Sequence, residues 1–129
     1  MFFNVDPSNG LPIYEQVVRQ VVYAIAGEAL RIGDLVPSVR ELARQLAINP
    51  NTVARAYRHL QDQGILESVR GTGLAVASGA MDRCRDTRVR LIRERLQQVL
   101  VEARQSRLEP NELRGLIESE LASSNREGV

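Results

Sequence analysis

Cysteine and histidine are almost missing from this 129-residue chain, where Cys84 and His59 stand alone. One thiol closes no internal disulfide, and one thiol with one imidazole falls short of the sets that hold structural zinc, so neither a disulfide scaffold nor a metal centre is expected. No apolar run approaches the eighteen or so residues of a membrane-crossing helix, and the start MFFNVDPSNG lacks the basic residues of a secretory leader. A cytoplasmic protein without membrane association is expected. The pieces of an active site are missing too. No Ser or Cys nucleophile sits beside a His base, no glycine-rich loop runs into a Lys, and Gly71-Thr72-Gly73 is too short for a nucleotide fingerprint. Neither an enzyme nor a bound cofactor is expected.

Lysine is absent altogether, so all 17 basic residues are Arg. The planar guanidinium fork suits guanine edges and phosphates, although codon drift in a GC-rich genome produces the same bias without any nucleic acid. The net charge is only +1, yet residues 83–95 are strongly positive and residues 109–120 acidic. Such an asymmetry could steer DNA to one side or pair one subunit's helix with another's, while solvated helix faces are the simpler account of most of these residues. With 43% hydrophobic and 26% charged residues the composition is that of an ordinary globular protein, long enough for one compact domain and a small appendage.

The most informative stretch is Pro37 to Arg58, PSVRELARQLAINPNTVARAYR. Val39, Leu42, Ala43 and Leu46 recur at helical spacing, Ser38 stands at the N-cap, and Glu41 lies where a capping-box partner would. Arg40 and Arg44 face the other way. Ala47-Ile48-Asn49-Pro50 then reads as a tight turn, with Asn49 able to cap and Pro50 at a first helical position where no N–H is needed. Beyond it Val53, Ala56, Tyr57 and Leu60 form a buried stripe, leaving Asn51, Thr52, Arg55, Arg58 and His59 outward. Those are side chains that bond bases and phosphates. Two helices joined in this way are a helix-turn-helix. Gln63-Gly64 then stops the second helix, 65–69 reads as a strand, Arg70-Gly71-Thr72-Gly73 as a hairpin, and 74–76 as the returning strand, which together make a wing.

Through GDLVPSVRELARQLAINPNTVARAYRHLQDQGILESVRGTG, preceded by PIYEQVVRQVVYAIAGEAL, the chain resembles the GntR family of bacterial transcription regulators and, within it, the YtrA subfamily. The resemblance runs from about Leu11 to Val76. It implies a sequence-specific regulator, most simply a repressor, that binds an inverted repeat in double-stranded DNA, often in an operon encoding a membrane transporter. Arg40 matches the Arg of the family's PSxRE element. Three departures stand out: Val36 where Leu is usual, Gly27-Glu28 where a small residue precedes Gly, and Leu74-Ala75 in place of a more aromatic strand. The second bears on where the first helix ends.

The expected fold is mainly α with a small β-wing: a winged helix-turn-helix over residues 1–77, then a helical dimerisation hairpin over residues 78–129. At the start, 2–5 is an apolar segment suited to a small strand, 6–10 a turn, and Pro12 the opening of a helix with Ile13, Val17, Val21 and Ile25 as core and Tyr14 and Tyr23 as packing residues. Gly33-Asp34 reads as a break. After Ser78-Gly79 as linker, a helix over 82–105 carries Val89, Ile92, Leu96, Val99 and Leu100, and a shorter one from Pro110 to about Ser123 carries Leu113, Leu116 and Ile117, with 124–129 as a frayed tail. Two such helices cannot bury their own stripes. A homodimer is therefore expected, the alternative being a hairpin folded back on the first helix.

The DNA-binding residues expected are Ser38, Arg40, Asn49, Asn51, Thr52 and Arg55, with Arg70 and Gly71 at the wing. For Asn49 pure capping is an equal alternative, and for Gly71 and Gly73 a simple type I′ or II′ turn is enough. A protein-binding winged helix is the competing class, but it should show apolar residues outward on the second helix, where this chain has Asn, Thr and Arg. A single hairpin encloses no ligand, so any small-molecule effector, its identity unknown, is expected between subunits.

Overall fold

The computed structural model describes residues 4–126. Helix α1 (Ile13–Ala26) is followed by α2 (Val39–Leu46), α3 (Pro50–Asp62), the strands β1 (Leu66–Val69) and β2 (Gly73–Val76), and the helices α4 (Ala80–Gln105) and α5 (Pro110–Arg126). The chain resolves into two compact units, Met1–Arg90 and Leu91–Val129, the division falling within α4.

In the first unit the apolar stripes read from sequence converge on one core. Val17, Val21, Val22 and Ile25 of α1, Leu42 and Ala43 of α2, and Val53, Ala56, Tyr57 and Leu60 of α3 are all buried. Burial of a side chain of this size is worth about 1.5–3 kcal/mol, so this three-helix packing dominates the unit's stability. Ile65, Leu66 and Val76 extend the core under the wing. The strands pair antiparallel, Leu66 opposite Val76 and Val69 opposite Gly73.

Several local expectations change. The 33–36 segment is more than a break: Gly33 N–H donates to the Val76 carbonyl, Val76 N–H to the Asp34 carbonyl and Val36 N–H to the Leu74 carbonyl, each at 2.9 Å. It lies along the free edge of β2 without forming a strand of its own, joined by an isolated antiparallel bridge between Leu35 and Ala75. So short a pairing leaves no alternation to read. Residues 7–9 form a 3-10 turn capped by Asp6, whose Oδ1 accepts from Ser8 N–H. No strand forms at Asn4 or Val5, and Val5 packs on the core; the rest of that expectation lies outside the described residues. Gln16, which the sequence did not single out, is buried at 5% exposure and fully bonded: Nε2 donates to the carbonyls of Asp6 and Leu11 and Oε1 accepts from Asp6 N–H, at 2.8, 3.0 and 2.8 Å. This clamp fixes the entry into α1.

The Gly27-Glu28 departure has a physical consequence. Gly27 caps α1 at φ −91°, and the next residue, Glu28, takes the left-handed conformation at φ 63°. A side chain there costs about 1–2 kcal/mol, partly offset by its lower freedom in the unfolded chain. Glu28→Gly is expected to raise stability by about 0.5–1 kcal/mol, read as a higher urea midpoint at unchanged slope.

α4 starts at Ala80, two residues earlier than expected, because Ala80 and Cys84 are fully buried against the core. Its first turns belong to the winged helix rather than to a linker. Arg83 closes the end of α3 by donating from Nη1 to the Gln63 carbonyl at 2.6 Å. Burial pushes the Cys84 thiol up to about 11. A folded state that holds its proton while the unfolded thiol loses it near pH 8.5 is undisturbed below that pH and loses stability as pH climbs towards 11. Native protein at pH 8 is therefore expected to leave a thiol reagent such as DTNB nearly unreacted until urea is added, and Cys84→Ala to flatten the alkaline fall in stability. Rapid native labelling would show that the thiol is exposed.

In the second unit α4 is followed by a left-handed residue, Arg107 at φ 61°, with Leu108 N–H returning to the Ala103 carbonyl at 3.0 Å. Pro110 begins α5, as expected, and the Glu112 carboxylate reaches back to Glu109 N–H at 3.4 Å. α5 continues to Arg126, so 124–126 are helical rather than frayed; the remaining tail lies outside the described residues. Ser and Asn lower helix propensity but do not stop a helix without Gly or Pro. Val99 with Leu113, Leu116, Ile117 and Leu121 lines an open apolar groove of about 460 Å³.

Candidate nucleic-acid interface

The turn between α2 and α3 shows how the sequence aims the second helix. Ser38 Oγ accepts from Glu41 N–H at 3.1 Å and starts α2. The reciprocal half of the capping box is missing, since the Glu41 carboxylate takes a long 3.5 Å bond from Gln45 instead. Ala47 ends α2 in the left-handed region at φ 54°, and Ile48 N–H returns to the Ala43 carbonyl at 3.0 Å. Asn49 then caps α3, its Oδ1 accepting from Asn51 N–H at 2.8 Å, with Pro50 at the first helical position. The capping role of Asn49 is thus real and occupies its oxygen, while its amide nitrogen has no partner among the described residues. Tyr57 ties the motif together: its hydroxyl donates to the Pro37 carbonyl at 2.8 Å, and burial, with Glu41's charge adding, drives its pKa up so that it stays a donor.

On this frame Asn51 and Arg55 are exposed and Thr52 half-exposed. Asn49, Asn51, Thr52 and Arg55 come together around one open hollow of about 340 Å³, whose other walls are Ile13 and Tyr14 of α1. The Arg55 guanidinium lies over the Tyr14 ring, 3.7 Å from its centroid. Tyr14 was expected only to pack, and nothing in α1's periodicity distinguishes a residue that packs from one that also carries a cation.

The other expected residues lie apart from this hollow. Ser38 and Arg40 are exposed at the start of α2, and among the described residues Arg40 has no hydrogen-bonding or ionic partner. It makes no salt bridge to its neighbour Glu41 or to Glu67 on β1. Arg70 and Gly71 form the exposed tip of the wing. Thr72 N–H donates to the Val69 carbonyl at 3.0 Å, Gly71 has φ 81°, and Arg70 is not among the residues of positive φ. Positive φ at the third turn position and not the second describes a type II turn, so the type I′ and II′ alternatives fall away. Open space surrounds the place where a Cβ on Gly71 would be, so glycine is needed there for its backbone angle. Arg58 and His59 are exposed along α3. No described group of His, Cys, Asp and Glu could hold a metal ion, and no described helix is long and apolar enough to cross a membrane.

Free guanidinium and amide groups at the start of one helix, behind a second that braces it, are suited to reading base edges and gripping phosphates. Comparison with known proteins agrees. Residues 13–76 match the bacterial regulatory proteins of the gntR family. The chain is 36% identical over 109 residues, 84% of each chain, to the HTH-type transcriptional repressor YtrA of Bacillus subtilis. Among solved structures it resembles YtrA from Sulfolobus acidocaldarius, a GntR-family transcription factor, at 30% identity and TM-score 0.55, covering 94% of this chain and 97% of that one. The DNA-binding domain of AraR, solved in complex with operator ORX1, matches 57% of this chain and 94% of its own at 28% identity and TM-score 0.53. The chain therefore belongs to the GntR family of bacterial regulatory proteins and is a DNA-binding transcription regulator rather than an enzyme.

Proposed function

We propose that the protein is a cytoplasmic homodimeric repressor that binds an inverted repeat, one half-site per subunit, in the control region of an operon such as one encoding a membrane transporter. Residues 1–77 read DNA in this scheme, and residues 78–129 join the subunits beyond the first turns of α4, which pack on the reading unit. The observation that carries it is the row of large apolar side chains that one copy leaves in water. Val89, Ile92, Leu96, Val99, Leu116 and Ile117 are between 40 and 54% exposed, with Leu100 and Leu113 half-buried. Monomeric proteins rarely tolerate so many exposed apolar residues along consecutive helices, and a two-fold axis covers both copies at once. The naming of the Bacillus subtilis relative as a repressor supports the direction of control.

DNA is contacted in this reading by Ser38 and Arg40 at the start of α2, by Asn49, Asn51, Thr52 and Arg55 around the hollow, and by Arg70 and Gly71 at the wing. The polar outer face of α3 supports DNA over a protein ligand. The test is a titration into a fluorescent duplex from the upstream region of its own gene, against a scrambled duplex at one fixed salt concentration, because phosphate binding falls steeply with salt. A preference of about a thousandfold is expected. Equal weak binding to both duplexes, repeated with every fragment of that region, would sink the proposal.

A further inference from the structure

We propose that Tyr14 is a positioning residue of the DNA-reading face, holding the Arg55 guanidinium by its flat side so that its N–H edge is presented in a fixed orientation. The inference rests on the DNA-binding reading and adds to it a residue from outside the helix-turn-helix. Arg55 is an exposed side chain with many rotamers, which must lose that freedom whenever it grips a base or phosphate. The Tyr14 ring, 3.7 Å beneath the guanidinium, removes part of the freedom beforehand. An ion pair would do so by occupying N–H donors. A ring occupies only the π face, and all five donors stay in the guanidinium plane for DNA.

Tyr14 is itself held firmly enough to serve. It is half-buried against the core in the first turn of α1, and the three hydrogen bonds of Gln16 tie that turn to Asp6 and Leu11. Arg55 lies three and four residues after Thr52 and Asn51, hence on the same face of α3, and all three border the hollow that Tyr14 closes from the other side. The ring therefore fixes Arg55 relative to the other polar groups of the reading face. Pre-organisation of this kind appears as affinity and base discrimination rather than as fold stability.

The test is a double-mutant cycle on the full chain. A duplex is first enriched from a random library by the wild type, and dissociation constants are measured at one salt concentration for that duplex and its single-base-pair variants. Tyr14→Leu is expected to weaken binding about fivefold and to relax discrimination at the base pairs that Arg55→Ala relaxes, while the double variant is no weaker than Arg55→Ala alone. Tyr14→Phe, which keeps the flat ring, is expected to restore the coupling. Coupling is the readout because general loosening of α1 would lower affinity by the same factor whether or not Arg55 is present. Additive losses, wild-type behaviour of Tyr14→Leu, or an Arg55→Ala variant that binds normally would each overturn the inference and leave the regulator reading standing. A wild type that enriches no sequence would overturn both.

Discussion

Leu96→Asp is expected to turn the protein into a monomer and to lower operator affinity by about 10²- to 10⁴-fold, the advantage that linked half-sites give over a single one. Leu96 lies on α4 at 47% exposure, one turn from Ile92 and close to Val99 on the same face. In a two-fold interface one substitution acts twice, placing two carboxylates in an apolar seam. Leu96 is outside the buried core that holds α1, α2, α3 and the wing together, so the DNA-reading unit should stay folded. Gln98→Asp, which adds the same charge at an exposed site about 200° further round the helix, serves as control and should remain dimeric. Light scattering reads the state, and fluorescence anisotropy reads the affinity. A Leu96→Asp protein that stays dimeric would place the interface elsewhere.

The helix-turn-helix was legible because three independent signals coincide there: 3.6-residue spacing of Leu42, Val53, Ala56 and Leu60, capping chemistry at Ser38 and Asn49, and Pro50 at a position where its missing N–H costs nothing. Each is local, so sequence suffices. What escaped depends on partners distant in the chain. Gln16 looks like any polar helix residue until Asp6 and Leu11 fold over it, ten and five residues away. The pairing of 33–36 along the edge of β2 depends on residues some forty positions later. Tyr14 and Arg55 are 41 positions apart, and only the packing of α1 beside α3 makes them neighbours. The wing is legible but its turn type is not, since a Gly-x-Gly run is compatible with several turn types and the choice falls to whether Arg70 or Gly71 carries the positive φ. The joint between 77 and 82 looked like a linker because Ser78-Gly79 is linker-like, whereas the burial of Ala80 and Cys84 makes the helix begin at once.

Arg40→Ala is expected to cost about 1–3 kcal/mol of operator binding, and the way the loss is distributed identifies its partner. The side chain is exposed at the second position of α2 and, among the described residues, has no partner, so its removal breaks no contact within the fold. Thermal stability should be unchanged, and any loss of affinity then belongs to the complex. If Arg40 pairs with a guanine edge, the loss is large on the operator and small on scrambled DNA, and substituting that one base pair costs the variant nothing further. If it grips a phosphate, binding weakens about equally on all sequences and the slope of log affinity against log salt falls by about one, because one fewer counterion is released. The salt slope separates the two cases without knowledge of the operator, since scrambled duplex alone reports it. Unchanged affinity on both duplexes would remove Arg40 from the interface and shift the weight of recognition to Asn51, Thr52 and Arg55.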